Sequence, residues 1–293
     1  MLGNALCEVA HDQWEIFALY RHRKPKVEGL HLVQVELTDL DALSAVFRQV
    51  RPRAVVHAAA ASRVDECQVR PDETARINID VTSHMAQMCA DFDCDLVFTS
   101  TDLVFSGRNA PYSEPAVPHP VCEYGRQKAA AELLALRYCP QALVCRLPLL
   151  FGWGPQTEAT FTTQVIDAVV HNRPLTLFVD EYRTPVDVLS AARGLLAMLG
   201  RVRGLLHLGG RTRMSRFDMG LMVAEALEIE PTMIRPVRIA DVDLPFVRSP
   251  DCSLESLTAF GMGYDPTPFE ASLKEAVIWY QRRQRVGSEG LRI

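Results

Sequence analysis

The sequence predicts an α/β protein: a doubly wound parallel sheet in the first half, followed by a smaller α/β lobe. Three observations predict it. Short apolar runs alternate with amphipathic helical patterns through the first 152 residues. Those runs are apolar throughout, as strands covered on both faces must be. After about residue 152 the rhythm changes without a Ser/Gly-rich linker, so the second half reads as a lobe packed on the sheet and not as a tethered domain.

The expected strands lie at 15–21, 30–37, 53–61, 95–101 and 142–151, each short and rich in Val, Leu or Phe. Helical patterns fill 40–50, 72–92 and 123–138 between them. Strand–helix–strand repetition with right-handed crossovers gives a Rossmann-like sheet over 1–152. The lobe, 153–293, carries helical patterns at 158–171, 186–200, 215–228 and 266–283. Strand-like pieces at 175–178, 205–210 and 234–239 separate them.

Composition narrows the function. The 293 residues are 48% hydrophobic and 23% charged, with a net charge of −5. That is an ordinary folded globule, and no basic run offers a footprint for nucleic acid or an anionic membrane. No apolar stretch reaches the roughly 18–20 residues of a bilayer span, and the amino end lacks the pattern of a signal peptide. Eight scattered cysteines form neither C-x-x-C nor zinc-ligand spacings, which predicts reduced core thiols in a metal-free, cytoplasmic protein.

The amino end is unusual. A helical pattern opens at once with Met1-Leu2-Gly3-Asn4, where a dinucleotide fold would place a strand and a glycine-rich turn first. Gly3 is the one glycine available to such a turn. The expectation is a chain that starts inside the phosphate loop and lacks the sheet's first strand. A misassigned start, a truncation or a loss of cofactor binding would each account for it.

The chemistry concentrates in one helix. Tyr124 and Lys128 stand four residues apart, which puts both on one helical face. An ammonium there favours phenolate and would draw the tyrosine towards use as an acid near neutral pH. Upstream, Ser100-Thr101-Asp102 closes an apolar strand, at the carboxyl end where open α/β sheets bind ligands. A hydroxyl there either holds a substrate carbonyl oxygen or caps a turn.

With STDLVF, YGRQK, RAVVHAAAASRVDECQ and ARINIDVTSHMA on the page, the chain resembles the extended short-chain dehydrogenase/reductases. It is most similar to the dTDP-4-dehydrorhamnose reductase branch, over nearly its whole length. The resemblance implies a catalytic group of Thr101, Tyr124 and Lys128, with Thr101 holding a ketone oxygen, Tyr124 supplying the proton and Lys128 binding the nicotinamide ribose. It implies cofactor contacts at Leu2 and Gly3, at Arg21 and Arg23, at Glu36 and Leu37, on the small-residue floor Ala58, Ala59, Ala60, and at Leu147. Basic Arg21 and Arg23 at the end of the strand at 15–21, the second strand of a fold that lacks its first, favour NADPH over NADH, with NADH still open. Asn78 either supports the site from within its helix or faces solvent. Substrate contacts are expected at Thr101, Asp102, Trp153, Arg183 and Arg248, the arginines facing a nucleotide diphosphate.

The partners implied are a nucleotide-sugar substrate and a homodimer. Two alternatives stand beside the reductase. One is a non-catalytic NADP-binding regulatory protein, since the chain is also similar to the regulatory beta subunit of methionine adenosyltransferase, whose partner is a synthetase. The other is an NAD-dependent nucleotide-sugar epimerase.

Overall fold

A computed structural model describes residues 1–25, 27–152 and 160–289, with side chains as far as residue 281. The chain opens with α1 (Leu2–Ala10), β1 (Phe17–Tyr20), β2 (His31–Gln34), α2 (Leu40–Val50) and β3 (Ala54–His57). Then follow α3 (Val64–Val69), α4 (Pro71–Ala75), a π-helical turn (Arg76–Asp80), α5 (Val81–Asp91) and β4 (Asp95–Thr101). A 3-10 turn (Asp102–Val104), α6 (Glu123–Tyr138) and β5 (Leu143–Leu147) complete the first half.

β4 and β5 lie in the middle of a four-stranded parallel sheet of order β10-β5-β4-β3, in which β10 spans Gly204–His207. Every residue of β5 is buried, and in β4 only Asp95 is not, so both strands are covered on both faces. β1 pairs in parallel only with β2, from Phe17–His31 to Tyr20–Gln34. Leu19 of β1 and Val55 of β3 pack against one core built on Leu43, Phe47, Val81 and Met85. The doubly wound parallel arrangement is therefore present as two parallel units over a common layer, with no ladder among the described residues joining β1 to β3. Ala54, Val55 and Val56 of β3 accordingly stay half-buried.

Two expected elements are corrected. The single helix at 72–92 is α4, a π turn and α5 in succession. The run at 142–151 breaks at Pro148, which has no N–H for the ladder, leaving β5 and the two-residue β6 (Leu150–Phe151).

The remaining elements are α7 (Phe161–Val170), β7 (Leu175–Phe178), β8 (Tyr182–Arg183), β9 (Val186–Asp187) and α8 (Val188–Met198). After β10 come β11 (Met214–Ser215), α9 (Arg216–Ala226), β12 (Ile234–Val237), α10 (Leu257–Gly261) and α11 (Phe269–Glu289). The sequence divides at 152, but the chain crosses that line. β10 extends the first half's sheet through Leu206–Cys145 and its neighbours. Leu2, Ala5 and Leu6 of α1 share a core with Ala191, Ala192 and Leu195 of α8. The lobe's own core gathers β7, β12, α7, α9 and α11 around Ile166, Met219, Val223 and Leu273. The eight cysteines are all buried and unpaired, as the sequence predicts. No helix among the described residues is long and apolar enough to cross a membrane.

Candidate active site

Thr101 ends β4, and its position follows from the strand: pairing with β5 runs to Thr101–Leu147, and the chain then turns. Its hydroxyl donates to Asp102 Oδ1 at 3.2 Å and accepts from the Leu103 N–H at 3.2 Å. Tyr124 stands in the first turn of α6 and is only partly buried. Gly125 explains how the helix comes so near: a Cβ there would overlap the Leu103 carbonyl oxygen. The helix therefore starts against the turn that follows Thr101.

Lys128 lies one helical turn on, 2% exposed. Its ammonium donates to the Thr99 carbonyl oxygen at 2.6 Å and sits 3.9 Å from the centre of the Phe98 ring. Burial lowers the Lys128 pKa to about 7, against the opposing charge of Glu132. The expected effect of Lys128 on Tyr124 is not what this geometry produces. Burial pushes the phenol up, Asp102 adds to the rise, and a hydrogen bond with Thr101 opposes it. The phenol is held protonated.

Beneath these groups lies a buried polar network that the sequence reading misses. Arg146 of β5 makes a two-pronged pair with Glu132 of α6, 3.0 Å from Nε to Oε1 and 2.8 Å from Nη2 to Oε2. Ser100 donates to Glu132 Oε1 at 2.5 Å, so the pair fixes α6 to the strand that carries Thr101. The available signal was Arg146 itself, since a charge inside an apolar strand requires a buried partner.

A second cluster joins the halves. Glu181, 1% exposed, receives Arg183 at 3.4 Å, Arg216 at 3.1 Å and Arg248 at 2.9 Å. Burial alone would raise its carboxyl, but the three guanidiniums hold it below the ordinary value. Arg183 also lies 3.2 Å from Asp102 and donates to the Tyr182 carbonyl at 2.6 Å. Asp102 is pushed up by burial, with Arg183 opposing. Arg183 is thus enclosed among acceptors of its own chain. Arg248 is half-buried between the rings of Phe178 and Phe246, at 5.2 and 5.5 Å, and its buried Nε has no hydrogen-bond acceptor.

The other expected contacts fall as follows. Asn78 is buried, with its amide on the backbone of Ala61. Ala58 packs on the α1–α8 core, Ala59 is exposed and Ala60 is half-buried. Leu147 is buried in that same core. Arg21 pairs with Glu36 at 3.4 Å, both half-exposed, Arg23 is exposed and Leu37 packs on the α2–α5 core. Leu2 is buried against α8, whereas Gly3 is exposed with open space where a Cβ would stand. Trp153 lies outside the described residues.

Such a fold implies a dinucleotide cofactor, and the chain's residues fit its two ends. At one end, Lys128 and Tyr124 lie one helical turn apart on α6, a helix that Gln127 and Asn78 tie to the small-residue loop after β3. At the other, Arg21 and Arg23 follow β1, where a 2′-phosphate is recognised. Gly3 makes no close approach that would demand a glycine.

A family model described as the RmlD substrate binding domain matches residues 1–282. The chain belongs to that family. Methionine adenosyltransferase 2 subunit beta of Mus musculus is 30% identical to it over 291 residues, covering 95% of this chain and 84% of that protein. A hypothetical dTDP-4-dehydrorhamnose reductase from Sulfolobus tokodaii superposes with a TM-score of 0.79 at 26% identity, over 89% of this chain and 90% of that one. The dTDP-4-dehydrorhamnose reductase of Bacillus anthracis, solved in complex with NADP, shares the fold at a TM-score of 0.80 and 20% identity, covering 94% and 95%. Thr101 ends β4, and Tyr124 and Lys128 lie in the first two turns of α6.

Proposed function

We propose that the protein is an NADPH-dependent reductase of a 4-keto nucleotide sugar. The observation that carries this reading is the placement of a protonated Tyr124 against Thr101, with Lys128 one turn further along the same helix. Reduction of a ketone consumes one hydride and one proton and yields an alcohol and NADP⁺. The cofactor supplies the hydride. Tyr124 gives its phenolic proton to the developing alkoxide, and Thr101 turns its hydroxyl from Asp102 to the same oxygen. Lys128 holds the nicotinamide ribose.

Ketone reduction draws on the protonated phenol, the form that burial and Asp102 favour at Tyr124. Of the two expected arginines, we assign the diphosphate to Arg248, whose side chain is 32% exposed. Arg183 instead acts within the chain, tying Asp102 to Glu181.

A second reading has a specific observation behind it: the 30% identical relative is a methionine adenosyltransferase subunit. On that reading the chain binds NADP without turnover and pairs with a synthetase. NADPH consumption with a nucleotide-linked 4-keto-6-deoxyhexose separates the two. Turnover supports the reductase. Binding of NADPH without turnover, together with co-elution with the synthetase, overturns it.

A further inference from the structure

We propose that Gln127 is a positioning residue: through Asn78 it locks the helix carrying Tyr124 and Lys128 to the loop that follows β3. The role in turnover rests on the reductase reading, but the tie itself does not.

Gln127 sits between Tyr124 and Lys128 on α6 and is 2% exposed. Its Oε1 accepts from Asn78 Nδ2 at 2.8 Å, and its Nε2 donates to the Pro71 carbonyl and to Thr74 Oγ1, both at 3.0 Å. Asn78 in turn accepts from the Ala61 N–H at 2.9 Å and donates to the Ala61 carbonyl at 3.1 Å. Asn78 thereby pairs both backbone groups of Ala61, as a neighbouring strand would. The loop Ala58–Ala61 beyond β3 is held by a side chain at this point.

The two amides have one workable orientation. Turning Gln127 over would set its NH₂ against that of Asn78 and its oxygen against the Pro71 carbonyl. The π turn at Arg76–Asp80 contains Asn78. Single π turns inside α-helices are frequent at functional sites. Elsewhere the α5–α6 contact uses Ala131 and Ala135 against Met85 and Ala86, so filling space does not call for an amide. A buried amide with every strong partner satisfied specifies one geometry. That geometry fixes the helix carrying Tyr124 and Lys128 relative to the loop Ala58–Ala61.

The test uses Gln127→Leu and Asn78→Asp in the full chain, with two measurements. In hydrogen exchange of the ligand-free protein, Gln127→Leu raises the exchange rate of the Ala61 amide by about tenfold or more while β4 amides keep theirs. With substrate, kcat falls about tenfold or more and the KM for NADPH stays within about threefold, because misplacement costs rate more than binding. Unchanged Ala61 exchange in Gln127→Leu overturns the tie. Unchanged kcat in an active enzyme with the tie broken overturns the positioning role. If Gln127→Leu does not fold, Asn78→Asp, which removes the donors to Gln127 and to the Ala61 carbonyl, is judged by kcat and KM alone, and an unchanged kcat overturns the positioning role. A wild-type protein without turnover counts against the reductase reading, while exchange at Ala61 still decides the tie.

Discussion

Lys128 points its ammonium at the carbonyl oxygen of Thr99, 2.6 Å away, and so hangs α6 on the strand that ends in Thr101. Its burial places the titration of Lys128 at about 7. NADPH affinity therefore weakens as pH rises through that value, by up to about tenfold per pH unit, because the cation and its third donor are lost. Calorimetric titration from about pH 6 to 9 measures this, and Lys128→Met flattens the curve.

The same group makes a stability prediction. Its ordinary value is 10.5 and its folded value about 7, so between them the unfolded chain binds more protons than the folded one. Stability thus rises with pH across that window, and the gain is lost as pH falls back through 7. Denaturant unfolding at several pH values shows the slope in the wild type and its reduction in Lys128→Met.

Removing Glu132 strands Arg146, which is 1% exposed. Glu132→Gln destabilises the protein by about 3–5 kcal/mol, the cost of leaving one member of a buried pair uncompensated. Ser100 keeps an acceptor in the new amide, so the loss is assigned to the charge. Chemical denaturation reads it directly.

Gly125→Ala acts on geometry. A Cβ at this position collides with the Leu103 carbonyl, so the start of α6 must move away from Thr101. The expected outcome is a folded protein, by circular dichroism, with kcat reduced about hundredfold.

Arg21 pairs with Glu36 on the exposed side of β1. Arg21→Ala raises the Kd for NADPH by about tenfold, as loss of a charged phosphate contact does, and leaves that for NADH within about twofold. Equal loss for both cofactors would place the 2′-phosphate elsewhere.

Much of this was legible in the sequence. Spacing puts Tyr124 and Lys128 on one face of α6, and the apolar run puts Thr101 at the end of β4, because both patterns are local. Partners were not legible. LLHL at 205–208 has the composition of any short strand, and only the packed structure shows that it extends the first half's sheet beside β5. The π turn is hidden because 72–92 keeps an almost regular helical pattern, although Asn78 interrupts its apolar face. Arg183 read as a phosphate ligand because its type suits one; its burial between Asp102 and Glu181 depends on residues about 80 positions away and two positions away. The rise in the Tyr124 phenol likewise depends on burial, which spacing alone does not report.

The central claim is that Tyr124 protonates a ketone in an NADPH-dependent reduction. The most direct test is single-turnover oxidation of NADPH by a nucleotide-linked 4-keto-6-deoxyhexose, in the wild type and in Tyr124→Phe. The expected result is stoichiometric oxidation in the wild type and a rate about 10²–10⁴-fold lower in Tyr124→Phe, the usual contribution of a general acid, with NADPH binding retained. Equal rates in the two proteins, or NADPH binding with no oxidation in either, would contradict it.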